Sequence, residues 1–324
     1  MLLATAFSVS VLFSRSVLAQ CSGDVRGLLS VSRFAEARSA TERALRNEPA
    51  SDSLMHCLGE IAYYGGENDA AAGWFERAIA ANDRDALHHL WLGKTLAQEV
   101  SSVSKLRLPF VARRMRGEFE RAVALDGALV GAHEGLMSYY LSAPALFGGS
   151  VEMAKKEAAE VVRLNAMRGH IAMGNLFLHE KDFAQAEREF RTATTVALPD
   201  SSAAMATLGA FYVTQARWTD AFDVYDRSIT AFPSAATFHL QYGRTAALAG
   251  QNLERGEREL GVWLRESSDG SAPSVRAGAH CRLGTIYQIE GRTALAKAEF
   301  EAALAIVPGY ADAKRGLQAI DRKR

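Results

Sequence analysis

A glycine recurs along this chain at Gly59, Gly93, Gly135, Gly174, Gly209, Gly243 and Gly284, at intervals of 34, 42, 39, 35, 34 and 41 residues. A period of this size marks a unit that packs only on its neighbours, repeated in line. A second marker follows five of these glycines, an aromatic residue with a small residue three positions later: Phe75/Ala78, Phe119/Ala122, Phe190/Ala193, Tyr225/Ser228 and Phe300/Ala303. A proline or polar residue then closes the unit at Pro49, Asp83, Asp126, Pro199, Pro233 and Pro308. Each marker has a mechanical task. Glycine lets two antiparallel helices approach, the aromatic fills the groove between them, and the residue three positions on returns to the same helix face. Proline stops the helix, so the turn falls at a fixed place.

Composition agrees with helices throughout. Only 7 of 324 residues are proline, alanine-rich stretches such as "ENDAAAGWFERAIAAND" favour helix, and β-branched runs are nearly absent. The 37 basic and 37 acidic residues cancel, so nothing in the balance points to nucleic acid.

The segments "LGEIAYYGGENDAAAGWFERAIAAND" and "LGTIYQIEGRTALAKAEFEAALAIVPG" carry Gly, Tyr, Gly, Ala, Phe, Ala and Pro in the order of the tetratricopeptide repeat family, which they resemble. The resemblance implies an all-α, right-handed superhelical solenoid over residues 21–324. It comprises about eight antiparallel helix pairs, at roughly 22–48, 53–82, 86–126, 130–165, 168–197, 202–231, 235–265 and 275–307. A last helix near 309–322 caps the array, since a terminal unit has to cover its own apolar face. The first pair lacks the glycine, and the second helix of the seventh pair lacks the aromatic–small marker.

Three insertions interrupt the period. "QEVSSVSKLRLPFVARRMRGEFERAVALD" adds about ten residues before Phe119 and gathers Lys105, Arg107, Arg113, Arg114 and Arg116. Two readings stand: a dock for acidic segments or lipid headgroups, or the wet side of a long helix with Leu106, Phe110, Val111 and Met115 underneath. "MSYYLSAPALFGGSVEMAKKEAAEVVRLN" holds Pro144 and Gly148-Gly149, where Pro144 ends one helix and Ser150 caps the next. This "AP…GG" loop is similar to one in a group of uncharacterised bacterial exported repeat proteins. "RESSDGSAPSVRAG" at 265–278 reads as a polar surface connection.

In the family, the first helices line an inner concave face, chiefly one and four or five positions after the glycine. The resemblance thus implies a peptide-binding set of Glu60, Tyr63, Tyr64, Lys94 and Gln98 in the early pairs, and Tyr139, Tyr140, Asn175, His179, Arg244 and Gln288 further on. Tyrosine and arginine are usual interface anchors, although Tyr63 or Tyr139 could equally pack between pairs. Asn175 sits at the asparagine position of the carboxylate clamp known in some members, but Ile171 stands where that clamp needs lysine. The implied partner is a protein or peptide lying along the groove.

No catalytic or metal-binding pattern stands out, and no cofactor is implied. His89, His170, His239 and His280 share one repeat slot, four before the glycine, which places them on separate pairs and in packing roles. Ser150 lacks a G-x-S-x-G elbow, and Gly148-Gly149 is no phosphate loop. Cys57 and Cys281 read as buried fillers at opposite ends of the array. The reading is a non-catalytic protein- or peptide-binding scaffold of the bacterial envelope, with a structural subunit of an envelope assembly, or after that an enzyme accessory protein, as the alternative.

The first 20 residues are apolar apart from Arg15 and end Val17-Leu18-Ala19-Gln20, a pattern that suits a cleaved export signal; a buried first helix is the other reading. Leu18-Ala19-Gln20-Cys21 resembles a bacterial lipobox, with Gln20 where that motif carries a small residue, which makes Cys21 a candidate lipidation site and the periplasm the expected compartment. Contact with a membrane is expected only through that anchor.

Overall fold

Apolar stripes at helical spacing, cut by short polar turns, set the chain into consecutive helices. The computed structural model describes residues 21–30, 33–100, 103–104, 106–196, 201–267 and 273–322, and among these every element is helical. Residues 1–20, Lys105, Pro199 and the centre of the 265–278 connection lie outside the described residues.

The helices are α1 (Gly23–Ser30), α2 (Phe34–Asn47), α3 (Asp52–Tyr64), α4 (Asn68–Ala81), α5 (Ala86–Glu99), α6 (Leu108–Leu125), α7 (Val130–Ser142), α8 (Val151–Leu164), α9 (Ala166–His179) and α10 (Phe183–Val196). They continue as α11 (Ser202–Thr214), α12 (Trp218–Ala231), α13 (Ala236–Ala249), α14 (Leu253–Glu266), α15 (Pro273–Ile289), α16 (Thr293–Ile306) and α17 (Ala311–Asp321). The chain forms two compact units, one ending at Ala204 and one beginning at Met205. In the first, α1 to α10 make hairpins in sequence order, and the second helix of each packs on the first helix of the next. In the second, α12 packs on α13 and α14 on α15, while α17 covers both α15 and α16.

The glycine marker works as the sequence implies. A Cβ built on Gly59 would lie 2.5 Å from the Phe75 ring, on Gly174 2.4 Å from Phe190, on Gly209 2.4 Å from Tyr225 and on Gly284 2.7 Å from Phe300. In the pair without an aromatic marker, Leu260 presses on Gly243 instead. Pair four departs from the pattern. Gly135 faces not its own second helix but Phe119 of the preceding hairpin, which also fills the space beside Gly93. The register of α7 against α8 is carried by His133, whose Nδ1 lies 2.7 Å from Glu157.

That histidine belongs to a recurring pair. Nδ1 of His89, His170, His239 and His280 meets Glu118, Glu189, Glu259 and Glu299 at 2.5 to 2.7 Å, each glutamate on the second helix of the same hairpin. The packing role expected for these histidines thus has a polar component: each glutamate immediately precedes the aromatic or leucine that fills the groove.

The insertions resolve unevenly. Val111 and Met115 are buried under α6, but Leu106 and Phe110 are 86% and 77% exposed, which corrects their placement underneath. The first turn of α6 points Val111 to the core and Phe110 to solvent, and Leu106 lies ahead of the helix. In the second insertion α7 ends at Ser142, a 3-10 turn follows at Ala145–Phe147, and Ser150 Oγ accepts from Met153 N at 3.2 Å to start α8. Gly149 is required there: a Cβ would sit 1.7 Å from the Ala143 carbonyl oxygen. The Tyr139 hydroxyl donates to the Phe147 carbonyl and ties this loop to α7.

Candidate functional site

The residues proposed for the binding face separate into three groups. Tyr63, Tyr64, Lys94 and Gln98 come together on α3 and α5 around Trp91. The Tyr63 and Tyr64 rings meet the indole edge-on at 5.2 and 5.7 Å, and the Lys94 ammonium lies 4.5 Å from its centroid. Trp91 itself is buried, and its indole N–H has no partner among the described residues. Asn175, His179 and Arg244 are exposed and Gln288 is half-buried. Asn175 and His179 share α9, whereas Arg244 and Gln288 belong to the second unit. Glu60, Tyr139 and Tyr140 are buried, and this corrects their assignment to an open surface. Tyr139 and Tyr140 pack edge to face at 5.6 Å, and Glu60 is enclosed beside Cys21 and His56.

Electrostatics around Lys94 follow from this geometry. Burial, followed by the Arg168 charge, holds its ammonium below the usual lysine range, while Glu134 and Glu60 act the other way. Glu134 is engaged by the Arg168 guanidinium in a two-pronged ion pair. Among the described residues Lys94 makes no ion pair. A half-buried cation with an aromatic face beneath it and no carboxylate of its own is suited to an incoming carboxylate.

Behind this face runs a buried polar chain that repeat reasoning did not find. Cys21 and Cys57 form a disulfide with their Cα atoms 5.2 Å apart. Cys57 is therefore a cross-link to the first helix, not a filler, and a sulfur held in that bond is not open to acylation, so the bridge and the lipid anchor at Cys21 exclude each other. Glu60 Oε2 lies 3.7 Å from Cys21 Sγ, and its other oxygen lies 3.2 Å from His56 Nε2. His56 Nδ1 meets His88 Nδ1 at 2.8 Å, and His88 Nε2 reaches Asp52 at 3.2 Å. Burial pushes the Glu60 carboxyl up to about 8, against the lowering pull of Lys94 and Arg26. Burial also lowers His56 to about 4, the Asp85 and Asp52 charges opposing it. Both groups are thus neutral at pH 7. Asp52, Asp85 and His88 bring one ligand atom each within 4.8 Å of one another. Two of these side chains have other structural work: Asn82 donates to Asp52 at 2.7 Å, and Asp85 accepts the Leu87 amide at 2.9 Å as the cap of α5.

Nothing among the described residues is long and apolar enough to cross a membrane as a helix. No curated protein sequence matches the chain. Among solved structures it is similar to yeast Tom70, at 13% identity and a TM-score of 0.64 over 89% of this chain and 58% of that one. It is also similar to the APC/C hetero-tetramer Cut9–Hcn1, at 15% identity and 0.51 over 92% and 54%. The chain thus spans little more than half the length of either. A thermophilic TPR protein from Thermus thermophilus matches at 20% identity and 0.49 over 60% of this chain and 98% of that one. One tetratricopeptide repeat model matches residues 25–86, 57–100 and 171–236, and a second matches 277–309. With helix hairpins in register and two repeat models that together cover more than half of its residues, the chain belongs to the tetratricopeptide repeat family.

Proposed function

We propose that this protein is a non-catalytic binding module, and that the face formed by Tyr64, Lys94 and Gln98 over Trp91 holds a carboxylate-bearing segment of another protein. The observation that carries this reading is Lys94. Its ammonium lies in a half-buried place where burial disfavours the charge, and the nearby Glu134 is already committed to Arg168. A bound carboxylate would supply the missing partner and gain a charge-assisted hydrogen bond beside an aromatic wall. By contrast, Arg114, Arg121, Lys155 and Arg163 sit in ion pairs on exposed second helices, where such pairs contribute little.

We further propose that the protein is exported and works in the cell envelope. The Cys21–Cys57 bridge supports this, because disulfides persist in oxidising compartments. Mass spectrometry of the mature N-terminus tests it: an intact Met1 in the purified native protein refutes export.

The binding reading is tested by isolating what co-purifies from intact cells and measuring its affinity for the Lys94→Met protein. We expect at least a tenfold loss, about 1.4 kcal/mol, with Arg244→Ala unchanged. Equal affinity for Lys94→Met and wild type would remove the proposed site.

A further inference from the structure

The Cys21–Cys57 disulfide, Glu60, His56, His88 and Asp52 form one continuous line from a bond buried between α1 and α3 to a carboxylate that reaches solvent. All of its interior members are fully enclosed, and only Asp52 has an exposed side-chain surface, 26%. One proton arrangement satisfies every link. The Glu60 carboxyl donates to His56 Nε2, His56 Nδ1–H donates to His88 Nδ1, and His88 Nε2–H donates to the Asp52 carboxylate. Shifting one proton along each bond yields a second arrangement, with Glu60 charged and Asp52 neutral. Such a line passes one proton from Glu60 outward to Asp52, and both rings must turn over before it can do so again. A purely structural network does not need its inner end to be an ionisable group set against a sulfur.

We propose that the Cys21–Cys57 bridge undergoes thiol–disulfide exchange with an external dithiol, and that Glu60, supplied through His56, His88 and Asp52, provides and takes back the proton of the departing Cys21 sulfur. In the reductive direction the dithiol's thiolate bonds to Cys57 Sγ and the Cys21–Cys57 bond breaks. Cys21 leaves as a thiolate and takes the Glu60 carboxyl proton. Asp52 then takes a proton from solvent, and the Glu60 carboxylate is protonated again along the line once both rings have turned over to the other tautomer, with Nε2–H on His56 and Nδ1–H on His88. The second thiol of the dithiol then closes on its own sulfur. Cys57 leaves and takes the proton which that thiol gives up, so the protein gains two thiols and the reagent becomes a disulfide. Oxidation is the reverse.

Access comes from α1. This helix has eight residues and packs chiefly on α2, and Ser22, Gly23 and Asp24 beside Cys21 are exposed. Opening of so short an element exposes the sulfurs at low cost. The charged and titratable groups facing Glu60 are Arg26 from α1, Lys94 from α5, and His56 and Tyr64 from its own helix. Arg26 and Lys94 both favour the carboxylate, and burial outweighs them.

The test is the rate of bridge reduction in the purified full chain by dithiothreitol, followed by thiol alkylation from pH 6 to 9, for wild type and Glu60→Gln. The glutamine keeps the shape and hydrogen-bonding capacity but holds no transferable proton. Below pH 8 the variant is expected to react roughly tenfold more slowly or worse, as loss of a general acid requires. The gap closes above pH 8, where wild-type Glu60 has itself lost its proton. A packing role predicts the opposite sign, because a loosened α1 exposes the bridge and speeds reduction. Faster or unchanged reduction in Glu60→Gln overturns the proposal, as does a slowing confined to pH values above 8. If Glu60→Gln fails to fold, Asp52→Asn decides. It keeps the contact with Asn82 but cannot accept the proton that Glu60 must pass outward before it can take that of Cys21, so reoxidation of the reduced chain below pH 8 is expected to slow about threefold or more. An unchanged rate overturns the proposal.

Discussion

His88 and His89 are neighbours on α5 and do different work. His89 reaches across its own hairpin to Glu118, as its counterparts do in four other pairs. His88 points about 100° away around the helix, into the seam with α3, where it meets His56 and no solvent. The first arrangement repeats, stays partly wet, and keeps a carboxylate at hand. The second occurs once among the described residues, is dry, and stores its neutral carboxyl beside a disulfide. A one-residue step decides between a modular fastener and a specialised interior.

The comparison predicts unequal costs. His88→Leu leaves His56 Nδ1 buried without a partner and should lower unfolding stability by about 2–3 kcal/mol. His89→Leu leaves Glu118 near water and should cost about 1 kcal/mol. Denaturant titration of both variants measures the difference, and equal losses would erase the distinction.

The two arrangements also differ in their response to pH. Glu60 has its folded value raised from 4.5 to about 8, so its contribution is present below pH 4.5 and is lost as pH rises towards 8. His56 has its folded value lowered to about 4, so its contribution is present above pH 6.5 and is lost as pH falls. The two trends oppose each other between pH 4.5 and 6.5. From pH 6.5 to 8 only the Glu60 loss remains, at most about 2 kcal/mol for one proton. Stability profiles should therefore show wild type weakening across that window while Glu60→Gln does not. Parallel profiles would mean that Glu60 is ionised in the folded protein.

The smallest effect concerns additivity. His89→Leu and His280→Leu lie in separate units and share no partner, so their costs should sum to within about 0.5 kcal/mol. His56→Leu combined with His88→Leu should cost clearly less than the sum, because the second change removes an already orphaned group. A double-mutant cycle on each pair reads both numbers.

Much of this was legible in one dimension. Glycine spacing, the Phe/Ala markers and Ser150 located the hairpins and the start of α8, because each residue acts on neighbours that the repeat itself specifies. The His–Glu fasteners were missed although their signal was present: Glu118, Glu189 and Glu299 each stand directly before the marked phenylalanine. The disulfide was not legible, since the first pair lacks its glycine and nothing in the spacing of Cys21 and Cys57 tells how α1 lies on α3. Glu60 was misread for the same reason. It occupies a groove position by repeat number, and the segment tied down by the Cys21 bridge encloses it. Leu106 and Phe110 were misjudged because an insertion has no repeat partner to set its burial.

Phe119 is held by Gly93 on one side and Gly135 on the other, so a single ring serves as the common keystone of α5, α6 and α7. Hairpins three and four therefore have no clean parting plane between them. Where the other hairpins of a repeat array can fray one at a time, these two must come apart together. The long insertions inside them are thus carried by the stretch of the first unit least able to let go piecemeal.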